Sequence, residues 1–313
     1  MSSEVLKAMI QTKDFRLVIM ITLPVFAIII LITFSDIMKI TQLIGNLEIK
    51  TILIIIGVSF IRPILGGWRA SFAYRPIGNL SLIDASKGYV LSAYGTIFLP
   101  SAIGGDVFRI EHMKNCTEGL RKEAFLVAAV ERFMGFLCLF VLAFLISFFI
   151  PSFSISVPWI FSIIFIFICS IFTLRIIIKR MGDGSMFSKA IEYIRGYANP
   201  YLITGVFGLS FLFQCVSLSV PVIVAYVVAD LEIAIMIALM TPAVALFSTI
   251  PISVGGLGLR EASYVALGAL VGIEQEVSFI AGLALSISII ISGLPGVFFQ
   301  NELIGFQKIQ DGE

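Results

Sequence analysis

Six runs of this sequence stay apolar for close to the thickness of a bilayer: residues 17–34, 51–65 with its flanks, 124–150, 157–178, 199–228 and 277–300. About 20 residues of helix cross the hydrocarbon core. Inside it every backbone N–H and C=O must find its partner within the protein. A chain with six such runs has one economical solution, a bundle of membrane helices. Composition agrees: of 313 residues, 59% are hydrophobic and 13% charged, against about 45–50% and about 25% in soluble domains. The expected fold is an all-α polytopic membrane protein forming a single membrane domain over residues 1–313. The first 16 residues are mixed and polar, and the run after them is long enough to span and stay, so no cleavable leader is expected. A net charge of +1 gives no reason to expect nucleic acid as a partner.

Two further apolar runs, 88–103 and 233–273, are interrupted by Gly-Gly and arginine. The first interruption reads LPSAIGGDVFR (99–109) and the second IPISVGGLGLR (250–260). Both contain Pro-x-x-x-Gly-Gly-x-x-x-Arg. Pro100, Gly104, Gly105 and Arg109 match Pro251, Gly255, Gly256 and Arg260 at an offset of 251 − 100 = 151 residues. The same offset carries run 51–65 into 199–228 and run 124–150 onto 277–300. The chain therefore divides into candidate repeats 1–150 and 151–313.

Lys and Arg cluster before the first run, after the second, before 124–150 and between 157–178 and 199–228. Placing these basic segments in the cytoplasm gives about six full transmembrane helices plus two re-entrant helical elements, 88–103 and 233–273. Both termini are then cytoplasmic, in a multi-pass protein of the cell membrane. Three crossings per half make the second repeat inverted. Inverted repeats with interrupted helices are a transporter arrangement with the binding site at the repeat interface. Eight or more full spans is the rival count.

The interruptions also point to chemistry. Proline stops a helix, and a glycine pair permits φ > 0 and close approach of another backbone or a ligand. A new helix is expected after each pair, with Asp106 a suitable N-cap and Arg109 and Arg260 in the first turns. Free N–H groups at a helix N-terminus beside an arginine suit a phosphate. Gly104, Gly105, Gly255, Gly256, Gly258, Arg109 and Arg260 are thus candidates to hold a lipid phosphate or headgroup. The competing reading pairs Arg109 with Asp106, and Arg260 with Glu261 or another acid.

In AVERFMGF (128–135), Glu131 and Arg132 lie one to two turns inside a span, where an ionisable group should face protein or a cavity. Glu131 is expected to pair with Arg109 or Arg121 or to relay protons. Asp106, Glu131, Arg132 and Glu261 form the set for charge compensation or proton coupling. In GGWRASFAYRP (66–76), Trp68 and Tyr74 suit an interface, and Trp68, Arg69 and Arg75 could meet headgroups there. The cysteines Cys116, Cys138, Cys169 and Cys215 form no CxxC pair, and the one histidine, His112, lies in a basic segment read as a solvated loop. No metal site or cofactor is expected. No P-loop, HExxH or GxSxG pattern is present.

LPSAIGGDVFRIEHM, AVERFMGF and IPISVGGLGLREASYVAL together resemble the flippase-like transmembrane family of lysylphosphatidylglycerol synthase, the membrane part of the bacterial multiple peptide resistance factor. The resemblance runs from about residue 15 to 302. It implies handling of membrane lipids, phospholipid or polyprenyl-phosphate-linked. The family's aminoacyl transfer belongs to a separate soluble domain and is not expected of this chain. The leading expectation is a lipid flippase or scramblase. The alternatives are a non-transporting scaffold that presents lipid to a separate transferase, and a membrane-embedded transferase.

Overall fold

The computed structural model describes residues 33, 36–99, 105–117, 121–147, 199–250 and 253–299. Most of these residues are helical, so most of their backbone hydrogen bonds are local, as lipid demands. They form helices α1 (Ile37–Gly45), α2 (Ile49–Tyr74), α3 (Leu82–Phe98), α4 (Asp106–Thr117), α5 (Arg121–Ser147), α6 (Pro200–Val228), α7 (Leu231–Phe247), α8 (Leu259–Leu270) and α9 (Gln275–Gly293). Among the described residues there is no strand. The protein is an all-α polytopic membrane protein.

Four helical stretches are long and apolar enough to cross a membrane: Ile49–Tyr74, Arg121–Ile146, Pro200–Val228 and Gln275–Phe299. They correspond to four of the six runs read from sequence. Runs 17–34 (Thr33 apart) and 157–178 lie outside the described residues. Both interrupted runs are broken helices. α3 ends at Phe98 and α4 starts at Asp106; α7 ends at Phe247 and α8 starts at Leu259. Pro100, Gly104 and Pro251 lie outside the described residues.

Polar side chains mark the helix starts. Asp36 Oδ1 accepts from Lys39 N–H at 3.1 Å, and Asp230 Oδ1 accepts from Ile233 N–H at 2.9 Å. Ser81 Oγ accepts from Asp84 N–H at 3.1 Å and donates to Asp84 Oδ2 at 2.6 Å. Each satisfies an N–H that the first helical turn cannot.

The chain forms two compact units. One comprises residues 1–59, 91–107 and 220–297. Its core gathers Ala225, Ile237, Val244, Tyr264 and Ala281, with a second cluster of Ile55, Val220, Val224, Phe279 and Ile280. α8 packs against both α7 and α9. Small residues set the spacing: a Cβ on Gly293 would lie 2.7 Å from Ala93 C and Tyr94 N, so α9 meets the α3 backbone directly.

The other unit comprises residues 60–90, 108–219 and 298–313. Its core holds Ala70, Ala73, Tyr74, Ala85, Met113, Val127 and Val206. Tyr74, expected at an interface, is fully buried in this core. The basic segment around His112, expected to be a solvated loop, is instead helix α4, with His112 buried. On α4, Glu111 binds Lys114 Nζ at 3.0 Å and Arg121 Nη2 at 2.6 Å, tying α4 to the start of α5.

Two outcomes follow from these contacts. Gly293→Ala should destabilise the detergent-solubilised protein by about 1–3 kcal/mol, the range for overpacking, read as a lower melting temperature. Glu111 responds to acid. Partial burial opposes its charge, but the bonds to Lys114 and Arg121 outweigh that and hold its pKa below the usual value. A depressed pKa gives stability that is present above the unfolded value of about 4.3 and fades as pH falls through the folded value. Acid titration of the melting temperature should therefore be flatter below pH of about 4 in Glu111→Gln than in the wild type.

Candidate functional site

α2, α3, α4 and α5 each deliver one polar side chain to a single buried cluster. Glu131, inside α5, is wholly buried. Its Oε2 accepts from Arg109 Nη1 at 2.9 Å. Its Oε1 accepts from Arg69 Nε at 3.1 Å and from the Tyr89 hydroxyl at 2.8 Å. The Tyr89 oxygen in turn accepts from Arg69 Nη2 at 2.5 Å. One carboxylate is thus shared by two guanidiniums and bridged to one of them by a phenol.

Aromatic faces complete the setting. The Arg69 guanidinium carbon lies 4.6 Å from the Phe213 ring centroid, and that of Arg109 lies 4.5 Å from the Tyr89 ring. Cations at such distances are attracted by the ring quadrupole. Glycines make the approach feasible. A Cβ on Gly66 would fall 2.3 Å from Tyr89 Cδ1, and one on Gly135 would fall 2.8 Å from Gln214 Nε2.

Glu131 therefore pairs with Arg109, as one reading of the sequence had it, whereas Arg121 is engaged by Glu111. Arg69 differs from expectation. Read as interfacial, it is 5% exposed and belongs to the buried cluster. Successive helix positions point about 100° apart, so Trp68 faces outward, 46% exposed, while Arg69 faces in. Arg75 is exposed, with its guanidinium 3.7 Å from the Phe72 ring centroid. Arg132 is half-buried on α5.

The second interruption builds a different arrangement. Gly255, Gly256 and Gly258 have φ of 61°, 77° and 75°, values costly for other residues. A Cβ on Gly255 would lie 2.4 Å from the Thr96 carbonyl oxygen. Gly255 N–H donates to Leu99 C=O at 3.1 Å, so the two interruptions touch through their main chains. At the first, a Cβ on Gly105 would lie 1.9 Å from the Ser92 carbonyl oxygen, and Asp106 Oδ1 accepts from Ser92 Oγ at 3.0 Å. α4 begins at Asp106 itself.

In the first turn of α8, Glu261 Oε2 accepts from Gly258 N–H at 2.7 Å, the reciprocal half of a capping box. Arg260, 4% exposed, donates to Ser286 Oγ at 2.6 Å and to Gly255 C=O at 3.2 Å. Ser286 Oγ also donates to Glu261 Oε1. Among the described residues Arg260 makes no direct ion pair with a carboxylate; the Ser286 hydroxyl hydrogen-bonds both Arg260 and Glu261. The competing reading paired Arg260 with Glu261 or another acid; here a serine hydroxyl stands between Arg260 and Glu261.

Sequence reading missed Tyr89, Phe213, Ser92 and Ser286. Tyr89 carried only a weak signal, one hydroxyl among those of Ser92, Tyr94 and Thr96 in the same run. Ser286 carried none, because serines recur along α9.

Removing one partner of a buried ion pair typically costs about 3–5 kcal/mol. Glu131→Ala should therefore lower thermal stability strongly. Tyr89→Phe, which removes one hydroxyl, should cost about 1–3 kcal/mol. A double-mutant cycle between Arg109 and Glu131 should give a coupling energy well above the about 0.5 kcal/mol limit of additivity.

A model of the lysylphosphatidylglycerol synthase TM region matches residues 17–296. A comparison with curated proteins finds no match.

Proposed function

The chain belongs to the transmembrane family of lysylphosphatidylglycerol synthase, and from that premise we propose that it is a lipid flippase or scramblase. The family is a membrane domain linked to lipid modification and flipping. In this reading the lipid carries a phosphate, with phospholipid and polyprenyl-phosphate-linked lipid both in scope. Its headgroup passes through the protein while the acyl chains stay in the bilayer.

Arg260 carries the proposal. A buried charge is normally paired with an opposite one. Among the described residues this guanidinium is held by one hydroxyl and one carbonyl. Arginine offers five N–H donors in a planar fork suited to phosphate. The position in the first turn of α8 adds helix N–H groups and the positive end of the helix dipole. An ionisable residue within a membrane domain is by default the ground for a functional-site hypothesis. Arg109, in the first turn of α4 and sharing Glu131 with Arg69, supports the same role for the first interruption. Glu131 at the first interruption and Glu261 at the second limit the excess positive charge between substrate molecules. The candidate repeats 1–150 and 151–313 would each supply one such arginine.

The reading is tested in liposomes loaded with a labelled phospholipid. Reconstituted protein should accelerate movement between leaflets over empty vesicles. Arg260→Ala should slow it by tenfold or more, about 1.4 kcal/mol, with a smaller effect on the yield of folded protein. Absence of acceleration across anionic, zwitterionic and polyprenyl-phosphate lipids would exclude the transport role. It would leave a lipid-presenting scaffold as the reading to pursue.

A further inference from the structure

Outside the arginine clusters, α3 and α4 bring together three side chains of metal-binding type. A carboxylate oxygen of Asp84, a ring nitrogen of His112 and the sulfur of Cys116 all lie within 4.8 Å of one another. We propose that Asp84, His112 and Cys116 bind a single divalent transition-metal ion, zinc in the first instance.

Residue types and spacing carry the inference. His112 and Cys116 are four apart on α4, hence on one face of the helix. Nε2 of His112 lies 3.5 Å from Cys116 Sγ. Ligands bound to zinc at about 2.0–2.3 Å in tetrahedral geometry stand about 3.3–3.8 Å apart, so this edge of the site is already at its bound length. The same Nε2 hydrogen-bonds the main-chain oxygen of Asp84 at 3.0 Å; an ion would displace that proton, since histidine ligates as the neutral imidazole. A set of one nitrogen, one sulfur and a carboxylate oxygen suits zinc rather than calcium or magnesium.

The site is also braced. The Asp84 carboxylate holds the Ser81 hydroxyl through Oδ2, a partner of the kind that fixes metal-ligating carboxylates. Gly88, whose added Cβ would lie 3.4 Å from His112 Cδ2, lets α4 lie close to α3. His112 is buried whereas Cys116 is exposed, so an ion can arrive from the outside along the thiol. Bound metal would clamp α3 to α4, the helices that carry Tyr89 and Arg109. The site stands independently of any transport role.

The test uses the full chain in detergent, stripped with a chelator and titrated with Co²⁺ alone. A thiolate-to-cobalt charge-transfer band should saturate at one ion per chain and vanish when Zn²⁺ is added. The band should be lost in Cys116→Ser, kept in Cys215→Ser, and shifted to higher cobalt concentration in Asp84→Asn. Zn²⁺ should raise the melting temperature of the wild type and not of Cys116→Ser. No band in the wild type, or a band unchanged in Cys116→Ser or in His112→Gln, would overturn the proposal. His112 would then be only a hydrogen-bonded tie between the two helices.

Discussion

The first interruption depends on Glu131. A bare carboxylate in the interior of a membrane helix is prohibitive, and two bare guanidiniums more so. Placed together they are tolerable, because one acid with two oxygens can receive Arg109 on one side and Arg69 with Tyr89 on the other. The four residues come from four helices, so the geometry of each helix is checked against the other three. Gly66 and Gly135 are small for the same reason: any side chain there would occupy the space of Tyr89 or Gln214. Apolar burial brings the helices together, and the charge cluster selects which faces meet.

The two interruptions solve the same electrostatic problem with different residues. Counting 151 residues on from Glu131 and Gly135 gives Gly282 (131 + 151) and Ser286 (135 + 151) in the sequence. Where α5 presents an acid and a glycine, α9 presents a glycine and a serine. Gly282 leaves room for Glu261, whose Cα would lie 3.1 Å from an added Cβ. The acid at the second interruption therefore comes from its own helix α8 and meets its arginine through Ser286. Arg109 is thus in direct ion contact with its acid, whereas Arg260 and Glu261 meet at a shared hydroxyl.

Much of this was legible in the sequence. Long apolar runs dictated the helices at 49–74, 121–147, 200–228 and 275–293, because nothing else satisfies a backbone in lipid. Proline and paired glycine marked both chain breaks, and Glu131 stood out as a charge inside a span. The side-chain partners were less legible. Arg69 reads as interfacial by its distance from the apolar run, and only the rotation of α2 turns it inward. Asp84 is separated from His112 by 28 residues, so no local spacing betrays their meeting. Ser286 looks like any serine in an apolar helix until Arg260 and Glu261 are placed on either side of it.

The hydrogen bond from Gly255 N–H to Leu99 C=O has a mechanical corollary. Each chain break orphans main-chain groups, and here one break silences a group of the other. Parting them within the protein exposes a donor and an acceptor at once, at about 1–3 kcal/mol for each left unsatisfied. On those terms this one bond staples the rims of the two breaks to each other.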